Sequence, residues 1–208
     1  MINSHNLFSS AIFSHEVSQF DKRKLTEYIY SEKRKDPDGL RNSNFGGWQS
    51  KAHYHLTDNP IVETIGRSLV NLRILKPNVV LRLDGLWFNV NPPHSHNMMH
   101  QHPNCDLAAV MWIHAPKNSG NLVFESPHAF SHNKMEMYSN HIQERACQYT
   151  AYNFHPREGM MLLFPSYLRH AVEVNQCQDD RVSVSFNAHM EYNCLLYTSP
   201  SPRDSIAA

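Results

Sequence analysis

The pattern of apolar positions changes along the chain near residue 75. Before that point apolar residues recur every three to five positions, first at Phe20, Leu25, Tyr28 and Ile29 and then at Ile61, Ile65, Leu69 and Leu72. Asp21 precedes the first run and the triplet Asp58-Asn59-Pro60 precedes the second, and such residues are typical helix starts. The spacing therefore predicts two helices.

The segment between these helices has a different character. Residues 42–50 read NSNFGGWQS, with two adjacent glycines that permit positive φ. We expect irregular backbone here, with Trp48 buried.

From residue 79 onward the apolar runs are short. They cover residues 79–83, 86–90, 107–113, 121–124, 160–164, 171–174 and 182–186, and each is bounded by Pro, Gly, Asn or Asp. A helical preface followed by seven or eight short strands predicts an α+β fold. The strands would form a sandwich or barrel, and the helices would cover one face.

Composition narrows the class of protein. Of 208 residues 41% are hydrophobic, which is enough for a core and excludes disorder as the main state. Nineteen basic and nineteen acidic residues give no net charge, and no basic run favours nucleic acid or a membrane surface. The chain has no long apolar stretch, and its start lacks the order of a signal peptide, so we expect a cytoplasmic protein.

The chain has few cysteines and many histidines. The four cysteines form no CxxC pair, so they favour neither a disulfide framework nor a structural zinc site. Fifteen histidines is an unusual number.

Residues 194–204 resemble the conceptual translation of a sequencing adapter. We expect residues 194–208 to be foreign, disordered sequence, and the strand before them to end near Asn187, with residues 189–193 trailing off.

The first candidate site is a cluster of four histidines within residues 89–104. Residues two apart in a strand point to the same face, so His100 and His102 can converge on one metal ion. His94 and His96 have the same spacing, but His94 follows two prolines in an expected loop. We therefore favour the later pair, although one such pair is a weak signal, because a histidine-rich surface loop also produces it.

The second candidate site joins His170 to Arg181 and Ser183. His170 enters a strand after a proline turn and can complete a metal site. Arg181 lies on a strand expected to be buried, where an unpaired guanidinium is costly and needs an anion. A carboxylate satisfies its fork geometry, with the Ser183 hydroxyl on the same face. The alternative partner is a structural carboxylate at Asp179, Asp180 or Glu173.

Five motifs together resemble one family. They are His100-x-His102, the apolar run LAAVMWI from residue 107, SGNLVFESP from residue 119, LFPxxxxHxV ending at residue 172, and Arg181-x-Ser183. This order is similar to that of the iron(II)- and 2-oxoglutarate-dependent dioxygenases, and within them to small bacterial and marine-phage oxygenases related to prolyl 4-hydroxylase. The NSNxGGWQS segment and WFNVN from residue 87 extend the resemblance to about residues 7–187.

The resemblance implies a fold and a set of roles. It implies one oxygenase domain over residues 1–193, with a helical preface to about residue 76 and a double-stranded β-helix, or jelly roll, of about eight strands over residues 77–190. Fe(II) would be held by His100 and His170, and Arg181, supported by Ser183, would anchor the far carboxylate of 2-oxoglutarate. Asn89 is a candidate hydrogen-bond partner of the cosubstrate, because a polar side chain on a core strand needs one.

His102 departs from the family, which usually has Asp or Glu at this position. His102 could itself bind the ion, since imidazole suits iron and three histidines can form a face. A carboxylate, Asp106 or Asp84, could replace it, or the position could stay open. We favour His102 as the ligand, with Asp106 as the alternative, because strand geometry places His102 without rearrangement.

The implied activity is hydroxylation of a C–H bond using O2, with 2-oxoglutarate converted to succinate and CO2. The substrate is a small molecule or peptide, with a peptidyl or free amino acid favoured. Two other functions remain open: a cupin-type three-histidine dioxygenase without 2-oxoglutarate, and a non-catalytic phage-associated β-sandwich binding module. Trp87, Met111 and Phe164 are candidate pocket residues, and residues 94–99 and 128–153 are candidate specificity loops.

Overall fold

The computed structural model describes residues 9–54, 59–70, 72–128, 139–140 and 149–193. In chain order its elements are β1 (Phe13–Glu16), α1 (Lys22–Lys35), β2 (Asn44–Phe45), β3 (Trp48–Gln49), α2 (Pro60–Val70), β4 (Val79–Asn91), β5 (His96–His100), β6 (Leu107–His114), β7 (Leu122–Glu125), β8 (Ala151–Phe154), β9 (Met160–Pro165), β10 (His170–Val172) and β11 (Arg181–Tyr192). The expected adapter-like tail, residues 194–208, lies outside the described residues.

Both expected helices form, and their first turns are capped by side chains. The Asp21 carboxylate accepts a hydrogen bond from the Lys24 N–H at 2.9 Å, and the Asn59 side-chain oxygen accepts one from the Ile61 N–H at 3.0 Å. These caps satisfy N–H groups that have no partner inside the helix. Leu72, which the spacing placed on the second helix, lies beyond its end.

The strands form two antiparallel sheets. One has six strands in the order β1-β9-β6-β11-β4-β3, and the other has five in the order β2-β5-β10-β7-β8. Each sheet joins strands that are far apart in the chain. Two such sheets face to face form a double-stranded β-helix, as the resemblance implied, but with eleven strands within the described residues in place of about eight.

Two strands are longer than expected. Residues 79–83 and 86–90 belong to one strand, β4, because its ladder with β11 continues on both sides of Asp84-Gly85. The expectation that residues 189–193 trail off is also wrong, since Tyr192 pairs with Val79 and the Asn193 N–H donates to the Asn78 carbonyl at 2.8 Å. The two strands extend together because each satisfies the backbone groups of the other.

The expected loop at residues 42–50 is partly strand. Asn44–Phe45 pairs with β5 of one sheet, and Trp48–Gln49 pairs with β4 of the other, so this segment closes one side of the barrel. Trp48 is buried, as expected, and its indole N–H donates to the Asp36 carbonyl at 2.8 Å.

Alternation along the strands separates two buried regions. Even-numbered residues in 86–90 of β4 and 182–186 of β11 pack with both helices in one cluster, which includes Leu86, Phe88, Val182, Val184, Leu25, Ile29, Ile61 and Ile65. Odd-numbered residues in 87–91 and 181–187 face the space between the sheets. The expectation that the helices cover one sheet agrees with this cluster. Within the described ranges, no helix has the length and apolar character needed to cross a membrane.

Candidate metal centre and its pocket

A cavity of about 720 Å³ lies between the two sheets. Odd-numbered residues in 87–91 of β4 and 181–187 of β11 line it in rows, because Gln49 lies opposite Asn89 and Asn89 lies opposite Ser183. Arg181 lines the same cavity and is the one charged residue among the described lining residues. The pocket wall is therefore polar but almost without formal charge.

Three histidines meet in this pocket. His100 ends β5, His170 begins β10, and the two lie directly opposite each other in the ladder. His102 follows two residues after β5, where its N–H donates to the Ser166 carbonyl at 3.0 Å. One ring nitrogen from each histidine lies within 4.8 Å of the other two. The structure thus brings together all three histidines that the sequence singled out.

Hydrogen bonds to Nδ1 fix the orientation of all three rings. His100 Nδ1 is 2.8 Å from the Met98 carbonyl, His170 Nδ1 is 2.9 Å from the Leu168 carbonyl, and His102 Nδ1 is 2.8 Å from the side-chain oxygen of Asn187. A carbonyl oxygen only accepts, so Nδ1 carries the proton and a neutral ring keeps its lone pair on Nε2. Such a second hydrogen bond is typical of metal-binding histidines.

Burial keeps these rings neutral. Burial, and after it the neighbouring His100, lowers the pKa of His170 to about 3 and that of His102 to about 4. The pKa of His100 is also lowered by burial. A metal ligand must be unprotonated, and these histidines satisfy that condition at neutral pH.

The two carboxylates considered as metal ligands in place of His102 lie outside the group of three histidines. Asp84 Oδ2 is 3.1 Å from His189 Nε2, and Asp106 Oδ2 is 3.7 Å from His189 Nδ1. Asp106 Oδ2 also accepts a hydrogen bond from the Met190 N–H at 2.8 Å. Among the described residues, no Asp or Glu joins the group of three histidines.

The earlier pair of histidines does not reach the cluster. His94 is exposed, and the His96 ring packs against Phe45 with the ring centres 5.1 Å apart. Of the expected specificity loops, residues 97–99 line the pocket, whereas residues 129–138 and 141–148 lie outside the described residues.

Arg181 is a buried cation that has no carboxylate partner among the residues the structure describes. It is 2% exposed, and its Nη1 donates to the Ser119 carbonyl at 2.5 Å and to the Gly120 carbonyl at 3.4 Å. The carboxylates proposed as structural partners are engaged elsewhere or make no ion pair with it: Asp180 accepts from the Tyr30 hydroxyl and Glu173 from the Asn121 N–H. Burial lowers the Arg181 pKa to about 10, so the guanidinium stays charged and its other donors need an anion.

Four of the five other residues that the sequence predicted to face the pocket line it. Asn89 lines the pocket and donates to the Ser185 hydroxyl at 3.1 Å, and Ser183 lies beside it. Trp87 and Phe164 also line the pocket, whereas Met111 lies in the core on the opposite face of the sheet.

Gln49 and Asn187 were missed as site residues. Gln49 is 7% exposed and faces the pocket from β3, and Asn187 holds His102. Gln49 lies in the quoted NSNxGGWQS segment, and the alternation of polar residues 181, 183, 185 and 187 on one strand was the available signal for Asn187.

This geometry agrees with a match to a known family. A family model described as "Putative 2OG-Fe(II) oxygenase", where 2OG is 2-oxoglutarate, matches residues 85–187. The matched range contains the three histidines, Asn89, Arg181 and Ser183. The chain belongs to the iron(II)- and 2-oxoglutarate-dependent oxygenases.

Solved structures share its fold. A prolyl hydroxylase from Trichoplax adhaerens, in complex with a peptide fragment of hypoxia inducible factor, has 10% identity and a TM-score of 0.59, covering 91% of this chain and 88% of that one. HygX from Streptomyces hygroscopicus, with nickel, 2-oxoglutarate and hygromycin B bound, has 14% identity and a TM-score of 0.52, covering 86% and 83%.

A third solved structure is matched over a smaller share of both chains. The chain covers 54% of the length of a 2OG-Fe(II) oxygenase family oxidoreductase from Burkholderia pseudomallei, at 14% identity over 64% of this chain and a TM-score of 0.42. No curated protein matches this chain in sequence at a significant level.

Iron(II) and 2-oxoglutarate are the cofactor and cosubstrate of this family, and the pocket fits both. Three neutral imidazoles with Nε2 lone pairs turned inward suit iron(II). A buried guanidinium that lacks a carboxylate suits a dicarboxylic acid. The family therefore does not support the two alternative functions in which 2-oxoglutarate has no part.

Proposed function

We propose that this protein hydroxylates a small molecule or peptide, with a peptidyl or free amino acid as the favoured substrate. The observation that carries the proposal is that one pocket holds both the three inward-facing imidazoles and the unpaired guanidinium of Arg181. When bound, iron(II) and 2-oxoglutarate supply the oxidation, in which O2 is activated and the cosubstrate leaves as succinate and CO2.

The proposed role of the chain is to hold these groups. His100, His102 and His170 are the proposed iron ligands, and they leave further coordination positions for the cosubstrate and O2. His102 takes the position that a carboxylate usually fills, and its support is the Nδ1 hydrogen bond that turns Nε2 toward the other two rings. A site with three neutral ligands carries one more positive charge than a site with two histidines and a carboxylate.

Arg181 is the proposed anchor of the far carboxylate of 2-oxoglutarate. Its support is the combination of 2% exposure, a retained charge and two carbonyl partners that leave donors free. Ser183 lies two residues on, on the same face, and Asn89 pairs with it across the ladder. We assign both to hydrogen bonds with the cosubstrate. Trp87 and Phe164, which lie against His102, would limit the access of water.

The substrate assignment is an expectation from the neighbours. One holds a peptide fragment and another holds hygromycin B, so proteins of this fold accept ligands as different as these two. Apart from Arg181, the described residues that line the pocket of this protein have uncharged side chains, including Asn42, Ser43, Gln49, Met98 and Met99. Such a wall favours an uncharged part of a peptide or amino acid.

The test is aerobic turnover of the purified chain with Fe(II) and 2-oxoglutarate. Succinate is quantified with and without candidate peptides and free amino acids, and each mixture is examined by mass spectrometry for a gain of one oxygen atom. We expect substrate-stimulated succinate in the wild type and none with His170→Ala. Absence of iron-dependent succinate with every candidate would contradict the activity, and succinate without an oxygenated product would contradict hydroxylation.

A further inference from the structure

We propose that Asn187 is a positioning residue that fixes the tautomer and ring orientation of His102. The proposal rests on His102 being an iron ligand. The Asn187 side-chain oxygen is 2.8 Å from His102 Nδ1, and this is the only one of the three Nδ1 contacts described above that is made by a side chain. The identity of residue 187 therefore decides the state of His102, whereas backbone carbonyls decide the other two.

The alternation of β11 places Asn187 in the pocket, and a bulge in β4 lies opposite it. In the β4–β11 ladder Phe186 lies opposite Leu86 and Ala188 lies opposite Leu83, so Asp84 and Gly85 together oppose Asn187. The extra residue lies on β4, so the alternation of β4 shifts there, while β11 stays regular and Asn187 keeps the face of Arg181 and Ser183. Gly85 has a φ of +89°, which a residue with a β-carbon rarely adopts, so the glycine makes the bulge possible.

The His102 ring is held on its face as well as at its edge. Trp87 stacks on it, with ring centres 5.6 Å apart and an interplanar angle of 22°. Stacking restricts the plane of an imidazole but does not choose between its two nitrogens. That choice needs a hydrogen-bond partner, and Asn187 supplies it.

The two orientations of the Asn187 amide have opposite consequences. If its oxygen faces His102, Nδ1 carries the proton and Nε2 is free for a metal ion. If its NH2 group faces His102, Nδ1 must accept, Nε2 carries the proton, and metal binding through Nε2 is blocked. We infer the first orientation, because only it agrees with the inward-facing Nε2 set. The acceptor is also neutral, so Asn187 orients His102 without adding the negative charge that a carboxylate would bring.

The test compares Asn187→Asp, Asn187→Leu and Asn187→Ser with wild type. The full chain is labelled with ¹⁵N-histidine, and the His102 tautomer is determined by NMR without metal at pH 7.5. Cobalt(II) affinity is then measured by calorimetry. We expect the wild type and Asn187→Asp to hold the Nδ1-protonated form. Asn187→Leu and Asn187→Ser should show mixed tautomers and about 10- to 100-fold weaker cobalt binding.

Asn153→Leu is the matched control, because it makes the same change at an exposed position on β8. It should bind cobalt as the wild type does. Circular dichroism distinguishes a folded variant from a misfolded one, and the smaller Asn187→Ser change serves if Asn187→Leu does not fold.

The outcomes separate this inference from the proposed function. An Nε2-protonated His102 in the wild type, or equal cobalt affinity in wild type, Asn187→Leu and Asn187→Ser, would overturn the role of Asn187. Equal weakening in Asn187→Asp and Asn187→Leu would mean that the residue acts only through packing, and would also overturn it. Failure of the proposed function has another signature: cobalt binds the wild type without perturbing the His102 ring signals.

Discussion

The Nε2 atoms of His102 and His170 lie 3.3 Å apart. Their Nδ1 atoms already face acceptor oxygens, so in the neutral rings both Nε2 atoms present lone pairs to each other. Two lone pairs at this distance repel unless a cation or a shared proton lies between them. The protein therefore holds an arrangement that a bound metal ion would stabilise.

The buried histidines should make metal-free stability depend on pH. The pKa values of His170 and His102 are about 3 and about 4, below the value of about 6.5 for an unfolded histidine. Between these values the unfolded state binds more protons, so the free energy of unfolding should fall as the pH falls from about 6.5 toward 4. Urea unfolding at several pH values measures this slope, which should approach about 1.4 kcal/mol per pH unit for each histidine that is protonated only in the unfolded state.

The contribution of His170 can be isolated with His170→Asn. This variant should have a shallower slope over the same pH range, whatever its absolute stability. An identical slope in both proteins would contradict the neutral, buried state of His170.

Arg181→Ala should weaken 2-oxoglutarate binding and leave metal binding nearly unchanged. The proposed partner of Arg181 is the far carboxylate, and a hydrogen-bonded charge pair contributes about 1.5–3 kcal/mol, or roughly 10- to 150-fold in affinity. Arg181→Lys should recover only part of the affinity for 2-oxoglutarate, because an ammonium cannot form the bidentate fork. Calorimetry with 2-oxoglutarate and with nickel measures the two dissociation constants.

Arg169→Ala is the control, since this arginine is exposed and pairs with Glu125 outside the pocket. If Arg181→Ala bound 2-oxoglutarate as tightly as Arg169→Ala, the residue would be structural only.

His102→Asp should retain metal binding, whereas His102→Ala should lose at least about tenfold in affinity. Both imidazole and carboxylate suit iron(II), and alanine offers no donor. Cobalt(II) titration under anaerobic conditions measures the affinities. His96→Ala provides a matched comparison, because the His96 ring packs on Phe45 and does not line the pocket. Equal affinities for the two alanine variants would mean that His102 is not a ligand.

Gly120→Ala should be strongly destabilising. A β-carbon at Gly120 would lie 2.2 Å from the Glu173 carbonyl oxygen, and the φ of +89° adds strain. We expect a loss of at least ~2 kcal/mol in the free energy of unfolding. The Gly120 and Ser119 carbonyls accept from Arg181, so 2-oxoglutarate affinity should fall too.

Gly66→Ala is the matched glycine control. A β-carbon there meets nothing within 4 Å, and the position is inside α2. That change should stabilise the protein by up to about 1 kcal/mol. Gly120→Ala with unchanged stability would contradict the backbone geometry around Arg181.

The sequence by itself determined the spacing of apolar and polar residues, and therefore which face of each helix or strand they occupy. The spacing of apolar residues gave both helices with their capping residues, and strand alternation placed Arg181 and Ser183 on one face of a buried strand. Motif order pointed to the family, and the two-residue spacing of His100 and His102 pointed to a metal site. Each of these features depends on residues that are close in the chain.

Only the tertiary structure decided which distant residues meet. His170 lies opposite His100, Asn187 reaches His102, and Gln49 joins the pocket, because ladder register aligns strands that are far apart in the chain. The same pairing joined two expected strands into β4. The local sequence pattern specifies which face of a strand a side chain occupies. Which side chains lie next to it depends on which strand pairs with that strand, and in which register.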